Sequence, residues 1–536
     1  MPMQFSWTNP YPTTRSPLFA RNVVATSQPL AAQAGLAMLR QGGNAVDAAV
    51  ATAAAMAIVE PVSNGLGSDN FAIVWDGRAL HGLNSSGPAP AAWTREYFLH
   101  KHGETFPTRG WDAVTVPGAV AGWAALSQRF GKLPFADLLQ PAIELAERGY
   151  GVGVVTAGSW ARQVPVLQNR PGFREAFMPR GRAPQPGERF QFPAAAATLR
   201  KIAATRGEAF YRGEIAAALA AHAAANGGAM TAADLAGFAP EWVTPISAQF
   251  AGYTVHEIPP NGQGIAALMA LGILRHHDLA ALPVDSLASQ HLQIEAMKLA
   301  FADTYRWVAD PRAMTKVTPA DLLDDGYLAL RARRIDPKRA QDFAHGTPPR
   351  GGTIYLTAAD ASGMMVSLIQ SNYMGFGSGI VVPGTGVSLQ NRGHCFTLEA
   401  GHPNVVEPGK RPFHTIIPGF LTKDGRAQMS FGVMGGNMQP QGHLQTLVRM
   451  LVYGQQPQAA CDAPRWKVGV GRHIDCEGTC APALVDGLRA LGHEVAPIDA
   501  GNDFGSGQFI WKLSDDAEDG YVAASDSRRE GQAVGY

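Results

Sequence analysis

The sequence predicts a mixed α/β fold, and three observations support this prediction. Up to about residue 75, strand patterns alternate with apolar helix patterns, and residues 110–340 have mostly helical spacing. From Thr353 onward, short β-branched and apolar runs are separated by glycine-rich turns, which is typical of strands. Hydrophobic residues make up 46% of the 536 residues and charged residues 16%. This composition favours large buried layers over disordered segments.

The first segment is predicted to contain two strands and two helices. A strand is expected over 22–27 and a helix over Pro29–Arg40, where proline suits the first turn and a glycine pair ends the helix. Asn44 can cap the next helix, the alanine-rich Ala45–Val59. That run is too short to span a bilayer, so we expect a buried helix. A turn then leads into the strand Phe71–Trp75.

In the middle segment, apolar residues recur at helical spacing through 288–307 and the pattern fades before Pro311. Residues 260–264 read as a turn that starts another helix. The stretch 336–350 contains two adjacent prolines and several charges and is the best linker candidate. Because it directly precedes Thr353, we expect it to form an exposed loop there.

The last segment is predicted to be rich in strands, followed by two helices. The expected strands are 353–358, 363–369, 415–422 and 427–433, and the expected helices are Leu444–Val452 and Pro482–Leu491.

Charge and composition argue against several classes of partner. Lys plus Arg equals Asp plus Glu at 44 each, without a long run of either sign, so neither a nucleic acid nor a membrane surface is an expected partner. The N-terminal residues have neither a basic region nor an apolar core of a secretory signal, so we expect a cytoplasmic protein.

The four cysteines are too few for a disulfide scaffold in a chain of this size. His473, Cys476 and Cys480 form the nearest approach to a metal motif. They lack the closely spaced cysteine pair typical of zinc sites and an obvious fourth ligand. The sequence therefore predicts neither a metal nor another cofactor.

Gly352-Thr353 is the dipeptide that points most directly to catalysis in this sequence. It lies between the loop-like 346–352 and the apolar run that Thr353 opens. If the peptide bond before Thr353 were cut, the freed α-amine, with a pKa of about 7.7–8, would lie beside the threonine hydroxyl as its base. One residue would then supply both nucleophile and base. The alternative is that the pair only begins a strand.

The chain resembles the γ-glutamyltransferase family of N-terminal nucleophile hydrolases. The likeness runs from residue 42 to residue 529, and its blocks are individually short but occur in the family's order. The matching blocks are 42–49, 60–61, 65–67, 116–118, 295–303, 353–360, 376–379, 408–412, 431–436 and 524–529.

This resemblance implies a four-layer α/β/β/α sandwich with additional helices, built from a precursor that cuts itself between Gly352 and Thr353. Residues 1–352 would form the large subunit and residues 353–536 the small subunit, and the pair could assemble further. Thr353 would be the nucleophile in both processing and turnover. Gly435 and Gly436 match the family's oxyanion-hole pair, and Ser371 stands where a threonine usually hydrogen-bonds the nucleophile.

The substrate-binding pattern departs from the transferases. They hold the α-carboxylate of the γ-glutamyl group with an arginine, whereas 84–90 contain none. Their paired acids before a phenylalanine are replaced by a segment containing Arg392 and His394, and their paired serines by His414-Thr415. The resulting candidates for substrate binding are Asn372, Tyr373, Arg392, His394, His414 and Thr415.

Arg392 and His394 turn an acidic segment basic, which favours a substrate with a carboxylate and no α-amine. The alternative for Arg392 is a solvated or structural arginine. Family members with related departures include cephalosporin acylases and oxamate amidohydrolase. The leading hypothesis is a self-processing threonine amidohydrolase acting on a small acidic amide. A conventional γ-glutamyltransferase or glutathione hydrolase is the first alternative, and an uncleaved, non-catalytic protein is the second.

Overall fold

The computed structural model describes residues 5–13, 15–343, 352–498 and 504–536. Two large antiparallel sheets dominate this part of the chain, each with seven of the described strands. In the first sheet the strands lie in the order β21 (Gln532–Gly535), β2 (Val23–Thr26), β10 (Gly352–Ala359), β11 (Met365–Tyr373), β3 (Asp69–Trp75), β4 (Leu80–Ser85) and β7 (Glu241–Val243).

The second sheet combines strands from the two ends and the middle of the chain. Its order is β1 (Leu18–Ala20), β20 (Tyr521–Ser525), β19 (Ser506–Lys512), β15 (Arg426–Met434), β14 (Gly419–Lys423), β9 (Tyr253–Glu257) and β8 (Ile246–Phe250). Three smaller sheets are β5 (Tyr150–Gly151) with β6 (Arg189–Phe190), β12 (Val381–Val382) with β13 (Val387–Ser388), and β16 (Trp466–Val468) with β17 (His473–Glu477) and β18 (Glu494–Ile498).

Helices surround the two large sheets. Up to residue 236 they are α1 (Pro29–Arg40), α2 (Ala45–Val59), α3 (Arg95–His102), α4 (Ala119–Phe130), α5 (Phe135–Arg148), α6 (Val154–Leu167), α7 (Phe173–Phe177), α8 (Pro193–Thr205), α9 (Glu208–Arg212), α10 (Glu214–Ala225) and α11 (Ala232–Ala236). The later ones are α12 (Gly264–Leu274), α13 (Leu287–Trp307), α14 (Pro319–Leu322), α15 (Asp325–Ala332), α16 (Met438–Leu451), α17 (Pro457–Asp462) and α18 (Pro482–Ala490). None of the described helices is long and apolar enough to cross a membrane.

Strand β10 explains how the layers are held together. Because successive side chains of a strand point to opposite faces, Ile354 and Leu356 join the core formed with α1, α2 and α5. Tyr355 and Ala359 instead join a core that also contains residues of the second sheet, among them Phe420. A third core joins the second sheet to α12, α13 and α16. Thr353 lies two residues before Tyr355, so its side chain points to the same face of β10, toward the second sheet.

Many of the sequence-based elements are confirmed. The helices Pro29–Arg40 and Ala45–Val59 have the predicted bounds. Asn44 caps α2: its side chain accepts the backbone N–H groups of Val46 and Asp47. The Asp47 carboxylate in turn accepts the N–H of Asn44 at 2.9 Å, which completes a capping box.

Other predictions are wrong in part. The segment 110–340 is mostly helical, as predicted, but it also contains the unpredicted strands β7, β8 and β9, which extend the two large sheets. The strand expected over 415–422 begins only at Gly419, and β19, β20 and β21 were not predicted. β19 and β20 pair with each other nearby in the sequence, but their other partners, β15 and β1, and the partner of β21, β2, are remote in the sequence. Of the predicted linker 336–350, residues 344–350 lie outside the described residues.

Candidate active site

Three neighbouring strands of the first sheet bring the candidate nucleophile into the core. Thr353 lies on β10, Ser371 on β11 and Asp69 on β3, and Ser371 is the register partner of Asp69. The pairing of β10 with β11 is irregular here: Gly352 pairs with Tyr373, but Ile354 pairs with Gln370. Since β11 uses one residue more than β10 over this stretch, the irregularity is a β-bulge, and it places Ser371 beside Thr353.

The Thr353 side chain is 1% exposed and contacts two polar groups. Its Oγ1 lies 3.1 Å from Ser371 Oγ, and Gln439 Nε2 donates a long hydrogen bond of 3.5 Å to the same oxygen. Ser371 Oγ also accepts the backbone N–H of Tyr373 at 2.7 Å. The expected partnership between Ser371 and Thr353 is therefore present in the geometry.

Gly435 and Gly436 form the turn between β15 and α16. Their φ angles are 130° and 60°, values that favour glycine. Their carbonyl oxygens accept the N–H groups of Met438 and Gln439, whereas neither glycine N–H donates a hydrogen bond within the described part of the chain. Two adjacent free N–H groups at one turn are the donors that an oxyanion requires.

Gln263 connects this turn to the predicted substrate residues. Its Nε2 donates to the carbonyl of Gly436 at 3.0 Å and to the carbonyl of Thr415 at 2.6 Å. Gln263 directly precedes α12 and is fully buried. The sequence analysis did not identify it, because its two partners lie more than a hundred and fifty residues further along the chain.

Arg392 begins a short 3₁₀ turn, Arg392–Cys395, and is completely buried. Its guanidinium carbon lies 4.4 Å from the centre of the Tyr373 ring, and Nη1 donates to Thr415 Oγ1 at 2.8 Å. Nε and Nη2 have no hydrogen-bond partner among the described residues. This burial excludes the solvated alternative for Arg392 and is compatible with the structural one. Nε and Nη2 are the donors of the guanidinium fork that make no hydrogen bond within the described chain.

Asp69 is the functional candidate that the sequence analysis missed. It is fully buried, and its Oδ2 lies 3.0 Å from His414 Nε2 and 3.6 Å from Arg392 Nε. Burial raises the pKa of Asp69 to about 7, although the positive charge of Arg392 opposes that rise. The available signal was an acidic residue two positions before the apolar strand pattern Phe71–Trp75.

His414 is held in one neutral tautomer. Its Nδ1 accepts the backbone N–H of Ile416 at 3.3 Å, so Nε2 carries the proton and donates it to Asp69. Burial, followed by the charge of Arg392, places the pKa of His414 well below its ordinary value. The group around Arg392 is therefore not purely basic, because His414 is neutral and the carboxylate of Asp69 faces Arg392.

Two further predicted substrate residues lie beside this group. Asn372 Oδ1 accepts a hydrogen bond from Ser68 Oγ at 2.8 Å, while its buried Nδ2 has no partner among the described residues. His394 is half-buried, its ring centre lies 6.4 Å from that of Tyr373, and burial lowers its pKa. Neither side chain has a hydrogen bond to Arg392 in the described part of the chain.

One group of side chains in the described residues has the composition of a metal site. His291, Glu295 and His493 are buried with their ligand atoms within 4.8 Å of one another. However, the ammonium of Lys298 lies 2.7 Å from Glu295 Oε1, and the two histidines are hydrogen-bonded to each other at 2.8 Å. These contacts already provide the carboxylate with a cation, which disfavours a metal there. His473, Cys476 and Cys480 are not part of this group.

Comparison with known proteins decides the family. The family model for gamma-glutamyltranspeptidase matches residues 31–536. The chain belongs to the γ-glutamyltranspeptidase family.

Members of the γ-glutamyltranspeptidase family cleave or transfer the acyl group of amides, so this protein is an enzyme of that class. It is 35% identical to a glutathione hydrolase-like YwrD proenzyme of Bacillus subtilis, over 97% of this chain and 99% of the relative. It is 38% identical to the oxamate amidohydrolase proenzyme of Klebsiella pneumoniae, over 95% and 97%. The structure of a cephalosporin acylase from Bacillus halodurans is similar with a TM-score of 0.94 at 46% identity, covering 99% of this chain and 98% of that one.

Proposed function

We propose that the protein is a self-processing amidohydrolase that cleaves a small amide carrying a carboxylate, with Thr353 as nucleophile. Cleavage before Thr353 would yield subunits of residues 1–352 and 353–536. The two large sheets with their flanking helices would then form the four-layer α/β/β/α sandwich of N-terminal nucleophile hydrolases. Relatives named as proenzymes support a processed precursor.

In the mature enzyme, the free α-amine of Thr353 would take the proton of its own hydroxyl as the hydroxyl attacks the amide carbon. The bond from the carbonyl carbon to nitrogen then breaks, the amine leaves with that proton, and an acyl-enzyme remains. Water releases the acid. Ser371 Oγ, 3.1 Å from the nucleophilic oxygen, would orient it. The N–H groups of Gly435 and Gly436 would stabilise the oxyanion.

The single observation that carries the substrate class is the unpaired part of the Arg392 fork. Buried donors without hydrogen bonds are costly, about 1–3 kcal/mol each. Nε and Nη2 of Arg392 make no hydrogen bond within the described residues, although Nε lies 3.6 Å from Asp69 Oδ2. A substrate carboxylate would satisfy both in one bidentate contact. Tyr373 and Thr415 hold the guanidinium in place.

The same geometry bears on a γ-glutamyl substrate, whose α-ammonium needs an acidic partner. Asp69, the acidic side chain nearest to Arg392 in the described chain, accepts the proton of His414 through Oδ2, so an ammonium would have to pair with Oδ1. Because one relative is named as glutathione hydrolase-like, the γ-glutamyl alternative is included in the experiment below. Two other relatives are named after cephalosporin and oxamate, and both of these compounds carry an amide near an acidic group.

The deciding experiment compares four chromogenic or coupled assays on the processed enzyme. The substrates are glutaryl-p-nitroanilide, its neutral analogue glutaramoyl-p-nitroanilide, γ-glutamyl-p-nitroanilide and oxamate. We expect kcat/KM for glutaryl-p-nitroanilide, oxamate or both to exceed that for the neutral and the γ-glutamyl anilide. A higher value for γ-glutamyl-p-nitroanilide would establish the conventional alternative instead.

A further inference from the structure

The inference concerns the charge balance around Arg392, and it rests on the proposed function. Arg392 faces one carboxylate, that of Asp69, but the two groups are not hydrogen-bonded, because Nε and Oδ2 are 3.6 Å apart. Among the described residues, the other carboxylate oxygen, Oδ1, receives only a long contact of 3.4 Å from the N–H of Gly87. Asp69 thus neutralises Arg392 without occupying its donors.

The groups that face Asp69 come from four segments. Arg392 and the buried thiol of Cys395 lie in the 3₁₀ turn, neutral His414 and the more distant Arg411 lie in the loop before β14, and Gly87 lies after β4. The Asp69 carboxylate also interacts with the phenol of Tyr211, on α9, where its charge adds to the effect of burial in raising the pKa of Tyr211. Arg411 has its own acidic partner, Glu241, at 2.8 Å. The central group therefore contains one cation, Arg392, and one anion, Asp69.

A substrate carboxylate on Arg392 would add a second anion to this buried site. Two carboxylates that share one cation at low exposure repel each other, and such pairs release the repulsion by binding a proton. Asp69 is the group that can accept it, because burial has already raised its pKa to about 7. His414 cannot accept it readily, since both ring nitrogens are engaged and its pKa lies far below the ordinary value.

We propose that Asp69 is a specificity-determining residue of this site, through which an anionic substrate binds to Arg392 together with one proton from solvent. The proton is placed on Asp69 Oδ1, the oxygen with the weaker contact, and His414 keeps donating to Oδ2. No covalent bond of the substrate changes in this step. Neutral amides need no proton, so Asp69 selects monoanionic acyl groups below neutral pH and excludes them progressively above it.

The test measures KM between pH 6 and pH 9 for glutaryl-p-nitroanilide and for neutral glutaramoyl-p-nitroanilide. In the native enzyme we expect KM for the glutaryl substrate to rise above pH 7 toward about tenfold per pH unit, the slope of one linked proton. The neutral substrate should lack this slope. With Asp69→Asn, KM for the glutaryl substrate should be independent of pH and lower than the native value at pH 9.

Asp475→Asn is the matched control. Asp475 is also a buried carboxylate between a histidine and a cation, with His473 Nε2 at 3.0 Å and Lys467 Nζ at 3.2 Å, but it lies in the small sheet of β16, β17 and β18. This variant should keep the native pH profile of KM. If Asp475→Asn also loses the pH dependence of KM for the glutaryl substrate, the change in Asp69→Asn reflects general destabilisation, and the role of Asp69 is overturned.

Calorimetry gives a second measurement that does not require the variant to fold. Binding of pentanoate, which carries a single carboxylate, to native enzyme at pH 8, compared in phosphate and Tris buffers, should reveal uptake of close to one proton per site, and neutral 1-pentanol should reveal none. Absence of uptake with pentanoate, or an equal rise of KM for both anilides in Asp69→Asn, would mean that Asp69 only holds Arg392 in place. Failure of the proposed function is recognised separately, by equal kcat/KM for acidic and neutral anilides in native enzyme.

Discussion

The hydroxyl oxygens of Thr353 and Ser371 lie 3.1 Å apart on two neighbouring strands, although eighteen residues separate them in the sequence. The β-bulge in β11 creates this proximity, because regular pairing would not place the extra residue there. Ser371 is further fixed by the N–H of Tyr373, whose ring supports Arg392. One strand thus connects the proposed nucleophile to the proposed carboxylate site.

Replacing the proposed nucleophile should abolish both processing and activity. We expect Thr353→Ala to remain one chain of 536 residues, while Thr353→Ser, which retains a hydroxyl, should still be cut. Gel electrophoresis and N-terminal sequencing of the small band are the measurements, and the native band should begin at Thr353. Two bands from Thr353→Ala would exclude this residue as nucleophile.

Removing the Ser371 hydroxyl should slow turnover moderately. A hydrogen bond of this kind is worth about 0.5–1.5 kcal/mol, so kcat of Ser371→Ala should fall roughly 2- to 12-fold. KM should change little if the hydroxyl orients the nucleophile rather than the substrate. Ser371→Thr retains the hydroxyl and is the control; an equal loss in both variants would point to packing.

The oxyanion role of Gly436 can be tested by removing its N–H. Gly436→Pro should abolish turnover, but proline also requires a negative φ, whereas Gly436 has φ of 60°. Gly436→Ala keeps the N–H and bears a smaller backbone cost, roughly 1–2 kcal/mol for a left-handed φ, which the proline ring cannot adopt. We therefore expect Gly436→Ala to retain measurable kcat in folded protein. Equal kcat in folded Gly436→Pro and Gly436→Ala would remove this N–H from the mechanism; circular dichroism and thermal unfolding verify the fold.

Arg392→Ala should raise KM for glutaryl-p-nitroanilide roughly 10- to 150-fold, the equivalent of about 1.5–3 kcal/mol for a charged hydrogen bond. The value of kcat should change much less, since ground state and transition state lose the same contact. Arg392→Lys keeps the charge without the fork and should be intermediate. If KM for glutaramoyl-p-nitroanilide rises as much, Arg392 supports the fold instead.

The ionisation of Asp526 should make the free energy of unfolding depend on pH in the acid range. Burial alone would raise its pKa, but Arg465 and Arg528, together with N–H donors, bring it to about 2. Since the pKa in the unfolded chain is higher, near 3.9, the ionised carboxylate contributes stability above about pH 4. This contribution, of order 2 kcal/mol, is lost as the pH falls toward 2.

Asp526→Asn should therefore lower the free energy of unfolding at pH 7, because Arg465 keeps a buried charge without its partner at 2.7 Å. The difference from native protein should shrink between pH 4 and pH 2 in urea unfolding experiments. Asp515→Asn, which removes an exposed partner of Arg426, should change little at either pH. A constant difference for Asp526→Asn across this range would contradict the assignment.

The sequence by itself determined the local elements and the family. Periodicity and capping residues set the bounds of α1 and α2, since a helix forms from hydrogen bonds within its own segment. The Gly352-Thr353 junction and the Gly435-Gly436 turn were likewise visible as short patterns. Strands such as β7 and β19 were not, because a strand is completed by partners remote in the chain.

Only the tertiary structure decided the chemistry of the candidate substrate site. Asp69 lies more than three hundred residues before Arg392 and His414 in the chain, yet the three side chains meet in one buried group. Whether Arg392 has free donors, and whether His414 is charged, depends on burial and on neighbours that no local pattern records. Charges interact through space, so their balance is fixed when the two sheets and their connecting loops come together.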